Sequence, residues 1–126
     1  MRDLIIYVDD DRDDLDIMTE AFSDLHDLRL ICMERPDKLL EIMQDHIDRI
    51  CLVVLDVNMP VYGIDILSII RDRSGFSHVP VVMISSSKSP KDRNAVERLR
   101  SELLEKPSSL PEIKKLAEHL SKHCTF

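Results

Sequence analysis

Cys51-Leu52-Val53-Val54-Leu55 is an unbroken apolar run, closed at once by Asp56. A short apolar run with β-branched residues and abrupt polar ends reads as a strand buried on both faces, as in parallel sheets. The pattern recurs in Ile5-Ile6-Tyr7-Val8 before Asp9-Asp10, in Val81-Val82-Met83-Ile84 before Ser85, and in Leu103-Leu104 just before Lys106. In open α/β sheets, ligands sit beyond the carboxyl ends of such strands. Three carboxylates, a hydroxyl and an ammonium are therefore expected along one edge of one sheet.

Between these runs the apolar period changes to three or four. Leu15, Met18, Phe22 and Leu25 predict an amphipathic helix entered through the acidic stretch Asp9 to Asp14, which suits the positive end of the helix dipole. Leu28 to Met33 reads as a second strand. Pro36 is placed to open a helix with Leu39, Leu40, Met43 and Ile47 on its apolar face. After the breakers Met59-Pro60 and Gly63, Ile66, Leu67, Ile69 and Ile70 mark a third helix that fades at Ser74-Gly75. Ala95, Val96 and Leu99 mark a fourth, and Leu110, Ile113, Leu116, Ala117 and Leu120 a fifth. Five β-α units in this order predict an α/β fold: a doubly wound, five-stranded parallel sheet in a flavodoxin-like three-layer sandwich. No repeat or linker divides residues 1–126, so one domain is expected to fill them.

A net charge of -7 argues against direct nucleic-acid binding, which favours a basic face. No apolar stretch approaches the ~20 residues of a membrane span, and no signal-peptide pattern opens the chain, so a soluble, cytoplasmic protein is expected. Cys32, Cys51 and Cys124 show no zinc spacing. Cys32 and Cys51 lie in or beside apolar runs, so reduced thiols are expected.

The residues at the strand ends suggest phosphoryl transfer. Two carboxylates about 4 Å apart repel by roughly 4 kcal/mol at an effective dielectric near 20. Asp9, Asp10 and Asp56 together therefore call for a cation, and a hard one such as Mg²⁺ suits oxygen ligands. Lys106 adds positive charge and Ser85 a hydroxyl donor, which supplies neutralisation and positioning for a transferring phosphoryl group. Asp56 ends the central strand alone and is the best candidate nucleophile, giving an aspartyl phosphate. Ser85 is preferred to Ser86 and Ser87 because it directly follows the last strand residue; Ser87 and Asn58 would then flank the phosphoryl group. The bland readings are a solvated helix start for Asp9 to Asp14, a turn or cap for Asp56, and a surface position for Lys106. Asp13, Asp14 and Asp16 read as solvated helix acids. His119 and His123, four apart on the last helix, read as exposed rather than as a metal pair.

Val8-Asp9-Asp10, Leu55-Asp56-Val57-Asn58-Met59-Pro60, Ser85 and Lys106-Pro107 fall in order at successive strand ends. In this the chain resembles the receiver domains of two-component response regulators over essentially its whole length. The resemblance implies that Asp56 is phosphorylated by a histidine kinase or histidine phosphotransfer protein. It implies that Asp9 and Asp10 hold Mg²⁺ with Asp56, Asp10 the more direct ligand, and that Asn58 contributes its backbone carbonyl. Ser85 would bond a phosphoryl oxygen and move on phosphorylation, Lys106 would pair with the phosphoryl group, and a cis peptide bond would precede Pro107. Output would pass to a separate target protein through the face of the fourth helix, fifth strand and fifth helix, or the phosphoryl group would move onward in a relay.

Three positions depart from the family pattern. Leu103 stands where the switch aromatic is usual. Arg100-Ser101 replaces Gly-Ala, so that turn is made without glycine. Val61-Tyr62-Gly63-Ile64-Asp65 lacks the common Asp-Gly pair but keeps one glycine.

The expected protein is a phosphoacceptor signalling domain rather than an enzyme. A haloacid-dehalogenase-type phosphatase would want an aspartate where Asn58 stands. A flavodoxin-like cofactor carrier would not place Asp9-Asp10-Asp11 beside a cofactor phosphate. A degenerate receiver would have no reason to keep all five site residues.

Overall fold

The computed structural model describes residues 1–87 and 89–125. Five strands alternate with five helices: β1 (Leu4–Val8), α1 (Arg12–Phe22), β2 (Arg29–Met33), α2 (Leu39–Asp45), β3 (Ile50–Asp56), α3 (Gly63–Asp72), β4 (Val81–Ser85), α4 (Pro90–Arg98), β5 (Glu102–Glu105) and α5 (Leu110–Ser121). All pairings are parallel, in the order β2-β1-β3-β4-β5. The chain leaves β1 towards one edge and returns through β3 to the other, so the switch point lies between β1 and β3.

The three-layer sandwich follows from strand alternation. Leu4, Ile6 and Val8 of β1 face one way, into a core with Leu39 and Met43 of α2, Leu67 and Ile70 of α3, and Val96 of α4. Ile5 and Tyr7 face the other way, onto Leu15, Met18 and Phe22 of α1 and Ile113, Leu116 and Leu120 of α5. Every residue of β1, β3 and β4 is buried, whereas β2 and β5, the edge strands, carry only exposed and half-buried residues. Burying one large aliphatic side chain is worth roughly 1.5–3 kcal/mol, so the inner three strands are the best-anchored frame for a site at their ends.

Two tight features set loop positions at opposite ends of the strands, Gly63 at the site edge and Arg100 at the start of β5. Gly63 opens α3 against the end of β3; a Cβ there would overlap the backbone carbonyl of Asp56. Arg100 takes a left-handed φ of 57° after α4. The N–H of Arg100 donates to Glu97 O at 3.0 Å and that of Ser101 to Val96 O at 3.1 Å, a Schellman closure in which arginine holds the position that glycine favours. Buried Arg71 of α3 reinforces this closure, donating to Leu99 O at 2.7 Å, Val79 O at 2.7 Å, Arg100 O at 3.2 Å and Ser77 O at 3.3 Å.

Several expectations are corrected. Pro36 opens a turn closed by Leu39 N–H to its carbonyl at 3.0 Å, and α2 starts only at Leu39. Leu25 lies beyond the end of α1, and Ile69 and Leu110 point to solvent. Cys51 is joined to Cys124 by a disulfide, while Cys32 is free and exposed. The partners are 73 positions apart, and a bridge between Arg2 and Thr125 brings the C-terminal segment back beside the start of β1. Among the described residues every peptide bond is trans, including the one before Pro107. The two isomers of a prolyl bond differ by only about 0.5–1 kcal/mol, so sequence alone does not decide between them.

Candidate functional site

Strand register sets the site. Val8 pairs with Leu55, Asp56 with Ile84 and Ser85 with Glu105, so Asp9, Asp56, Ser85 and Lys106 leave the sheet at nearly one level. The hydrogen-bond ladder runs past the strands: Asp9 N–H to Met33 O at 3.0 Å, Val57 N–H to Ile84 O at 2.9 Å and Lys106 N–H to Ser85 O at 2.7 Å. The backbone beneath the functional side chains is therefore held as firmly as the sheet.

Asp9, Asp10 and Asp56 bring carboxylate oxygens within 4.8 Å of one another, with Asp9 and Asp56 buried and Asp10 exposed. Lys106 reaches into the cluster from the end of β5. Its Nζ lies 2.7 Å from Asp14 Oδ2, 2.9 Å from Asp9 Oδ2 and 3.4 Å from Asp56 Oδ2. Asp14 is thus bound to the lysine and is not the solvated helix acid expected. Asp11 caps α1 by accepting from the N–H groups of Asp13 and Asp14, which sets the first turn and carries Asp14 towards Lys106. Behind the cluster, buried Tyr7 donates its hydroxyl to Asp9 Oδ2 at 3.2 Å.

One ammonium among four carboxylates leaves excess negative charge. Burial, then the Asp9 charge, push the Asp56 carboxyl up to about 6, against the Lys106 ammonium and the Asn58 N–H. Burial works against the Lys106 charge, but hydrogen bonds to Asp14 and Asp9 and the charges of Asp9 and Asp56 outweigh it and raise its pKa. Tyr7 is raised by burial and by Asp9, so it stays a neutral donor. An all-oxygen, under-neutralised cluster of this kind fits a hard divalent cation such as Mg²⁺.

Asn58 N–H donates to Asp56 Oδ1 at 3.2 Å, and Asn58 Nδ2 donates to Ser85 Oγ at 3.3 Å. The buried Ser85 hydroxyl donates to Ser87 O at 2.6 Å and accepts from Ser87 N–H at 3.1 Å. It meets the Asp56 side of the site through Asn58. On the next loop, Tyr62 donates its hydroxyl to Asp92 of α4. Burial, then Asp92, push that phenol up to about 12. His119 contacts Glu102 at 3.1 Å; it and His123 are exposed.

The structure thus brings together Asp9, Asp10, Asp56 and Lys106, with Asn58 linking Ser85 to them. Sequence reading passed over Tyr7, although its place two residues before Asp9 puts both on one face of the strand. It also passed over the Tyr62–Asp92 contact, for which no local pattern exists.

A family model of the response regulator receiver domain matches residues 5–118. Among solved structures, the fold is similar to the Mn²⁺-bound form of the response regulator Rcp1, at 22% identity and a TM-score of 0.80, covering 95% of this chain and 92% of that one. It is similar to the phosphorylated cyanobacterial phytochrome response regulator RcpA, at 18% identity and 0.83, covering 97% and 93%. It is similar also to the chemotaxis response regulator CheY4 of Vibrio cholerae, at 19% identity and 0.78, covering 95% and 99%. Among curated protein sequences, none matches the chain significantly.

Proposed function

The chain belongs to the response regulator receiver domain family, and on that premise we propose that its 126 residues form one receiver whose phosphoacceptor is Asp56. The gathering of Asp9, Asp10 and Asp56 within 4.8 Å beside Lys106 is the observation that carries this reading. Asp9, Asp10, Asp56 and the Asn58 carbonyl would hold Mg²⁺, which supplies charge neutralisation for phosphoryl transfer. An Asp56 oxygen attacks the phosphorus of a donor phosphohistidine. The P–O bond forms as the P–N bond breaks, and the imidazole leaves with the electron pair and takes a proton. Lys106 then pairs with the phosphoryl oxygens. For Ser85 to do so, its bond to Ser87 O must break, which links phosphorylation to movement of that loop.

The donor would be a histidine kinase or histidine phosphotransfer protein. The phosphorylated chain would dock on a separate target in the cytoplasm through α4, β5 and α5, or pass the phosphoryl group on in a relay, rather than turn over a substrate. A groove of about 730 Å³ along β5 and α5 supports that face as the output, because its lining includes Lys106 as well as Leu104, Pro107 and His119. Among the described residues, no helix is long and apolar enough to cross a membrane. The test is incubation of wild type and Asp56→Ala with acetyl phosphate and Mg²⁺, read by intact mass. Wild type should gain one phosphoryl group and Asp56→Ala none; equal labelling rejects Asp56 as the acceptor.

A further inference from the structure

The two nearest anions to the Lys106 ammonium, Asp14 at 2.7 Å and Asp9 at 2.9 Å, both lie on the α1 side of the site, while Asp56 is at 3.4 Å. Asp14 stands outside the group of carboxylates that converge within 4.8 Å. It therefore contacts the lysine without joining the candidate metal cluster. The Asp9 oxygen that faces the ammonium, Oδ2, already takes the Tyr7 hydroxyl as well as Lys106, and Asp11 N–H donates to the other oxygen. An ammonium carries three N–H donors. Without Asp14, Asp9 at 2.9 Å keeps the donor it already holds, and the freed donor has Asp56 at 3.4 Å as the next anion in reach.

We infer that Asp14 is a positioning residue for Lys106, holding the ammonium against α1 so that the Asp56 carboxylate stays available to a divalent cation and a phosphoryl group. The inference rests on the phosphoacceptor reading above. An ammonium bonded closely to Asp56 and a cation shared by Asp9, Asp10 and Asp56 compete for the same oxygens, and the two positive charges repel at that range. Asp14 gives the ammonium an anion of its own and relieves both conflicts.

The experiment is a double-mutant cycle read by calorimetric Mg²⁺ titration and by labelling with acetyl phosphate. Asp14→Asn should weaken Mg²⁺ binding about tenfold, as removal of an outer partner of a metal site does. Its labelling should be slow at low Mg²⁺ and recover at saturating Mg²⁺. Asp14→Glu, which keeps the carboxylate, should restore most of the affinity. In a Lys106→Met background, Asp14→Asn should change Mg²⁺ affinity by less than about twofold, because the group it positions is gone. The same weakening with and without Lys106 would mean that Asp14 acts only through its charge, and would overturn the inference. Unchanged affinity in Asp14→Asn would overturn it as well. If wild type binds no Mg²⁺ and takes no phosphoryl group, the phosphoacceptor reading falls and the inference with it. If wild type does both and the cycle shows no coupling, the inference falls alone.

Discussion

Replacing Asp56 with asparagine should stabilise the metal-free protein at neutral pH while removing its acceptor. In the folded chain the Asp56 carboxyl is pushed up to about 6, chiefly by burial, against about 3.9 for an unfolded aspartate. Well below pH 4 the group is protonated in both states and has no effect, and near pH 4 the effect is still only about 0.5 kcal/mol. As pH rises from about 4 to about 6, the unfolded chain releases the proton first, so native stability falls, levelling off near pH 7. A gap of about two units corresponds to about 3 kcal/mol. Asparagine is neutral throughout, so Asp56→Asn should lie within about 0.5 kcal/mol of wild type near pH 4 and exceed it by about 2–3 kcal/mol at pH 8. Lys106 keeps its closer contacts to Asp9 and Asp14, so little is lost on that side. For a chain of 126 residues, unfolding entropy near 0.26 kcal/mol/K turns this into a rise in Tm of about 10 °C. The assay is urea unfolding followed by circular dichroism across pH 4–8 in chelator. Mg²⁺ should then narrow the difference, because it stabilises the wild-type site and has less to bind in the variant. Equal stability of the two proteins at pH 8, or a gap that does not change with pH, would refute the claim that Asp56 carries an under-neutralised charge.

Arg100→Gly should stabilise by about 1 kcal/mol, because glycine, with no Cβ to meet a carbonyl, reaches the left-handed conformation at φ 57° without strain; an unchanged urea midpoint would argue against strain there. Gly63→Ala should destabilise by about 2 kcal/mol or more, since the new methyl meets the Asp56 backbone. It should also slow labelling of Asp56, and a variant with wild-type stability and labelling would show that the approach of α3 to β3 is not tight. Reducing the Cys51–Cys124 bridge, or making Cys124→Ser, should lower stability by about 3–4 kcal/mol for a closed loop spanning 73 positions. Identical unfolding with and without a reductant would show that the bridge does not form.

Much of the architecture was legible because β1, β3 and β4 are apolar on both faces, which leaves few alternatives to a parallel sheet. Parallel register then placed Asp9, Asp56, Ser85 and Lys106 at one level without any coordinate. The contacts that escaped are those between residues far apart in the chain or presented by a helical turn. Asp14 looked like one of several acids on α1; only the Asp11 cap and the reach of Lys106 from β5 make it a partner. The Cys51–Cys124 bridge depends on the return of the last segment to Arg2, which no local pattern encodes. Arg100-Ser101 was half legible: the missing glycine marked a demanding turn, and the left-handed arginine is how it is met.

Arg71 gives that turn a mechanical meaning. Its guanidinium fastens the last carbonyls after α4 to the segment leading into β4, through one buried and several partly buried hydrogen bonds. The opposite end of α4 is tied to the β3–α3 loop by Tyr62 and Asp92 alone among the described side-chain hydrogen bonds between them. The helix thus resembles a lever with its fulcrum at Leu99 and Arg100 and, among the described side-chain hydrogen bonds to the β3–α3 loop, one catch at its start. A rearrangement of α4 that keeps the Arg71 bonds would swing its N-terminal end, beside the loop that carries Asn58, about a fixed C-terminal end.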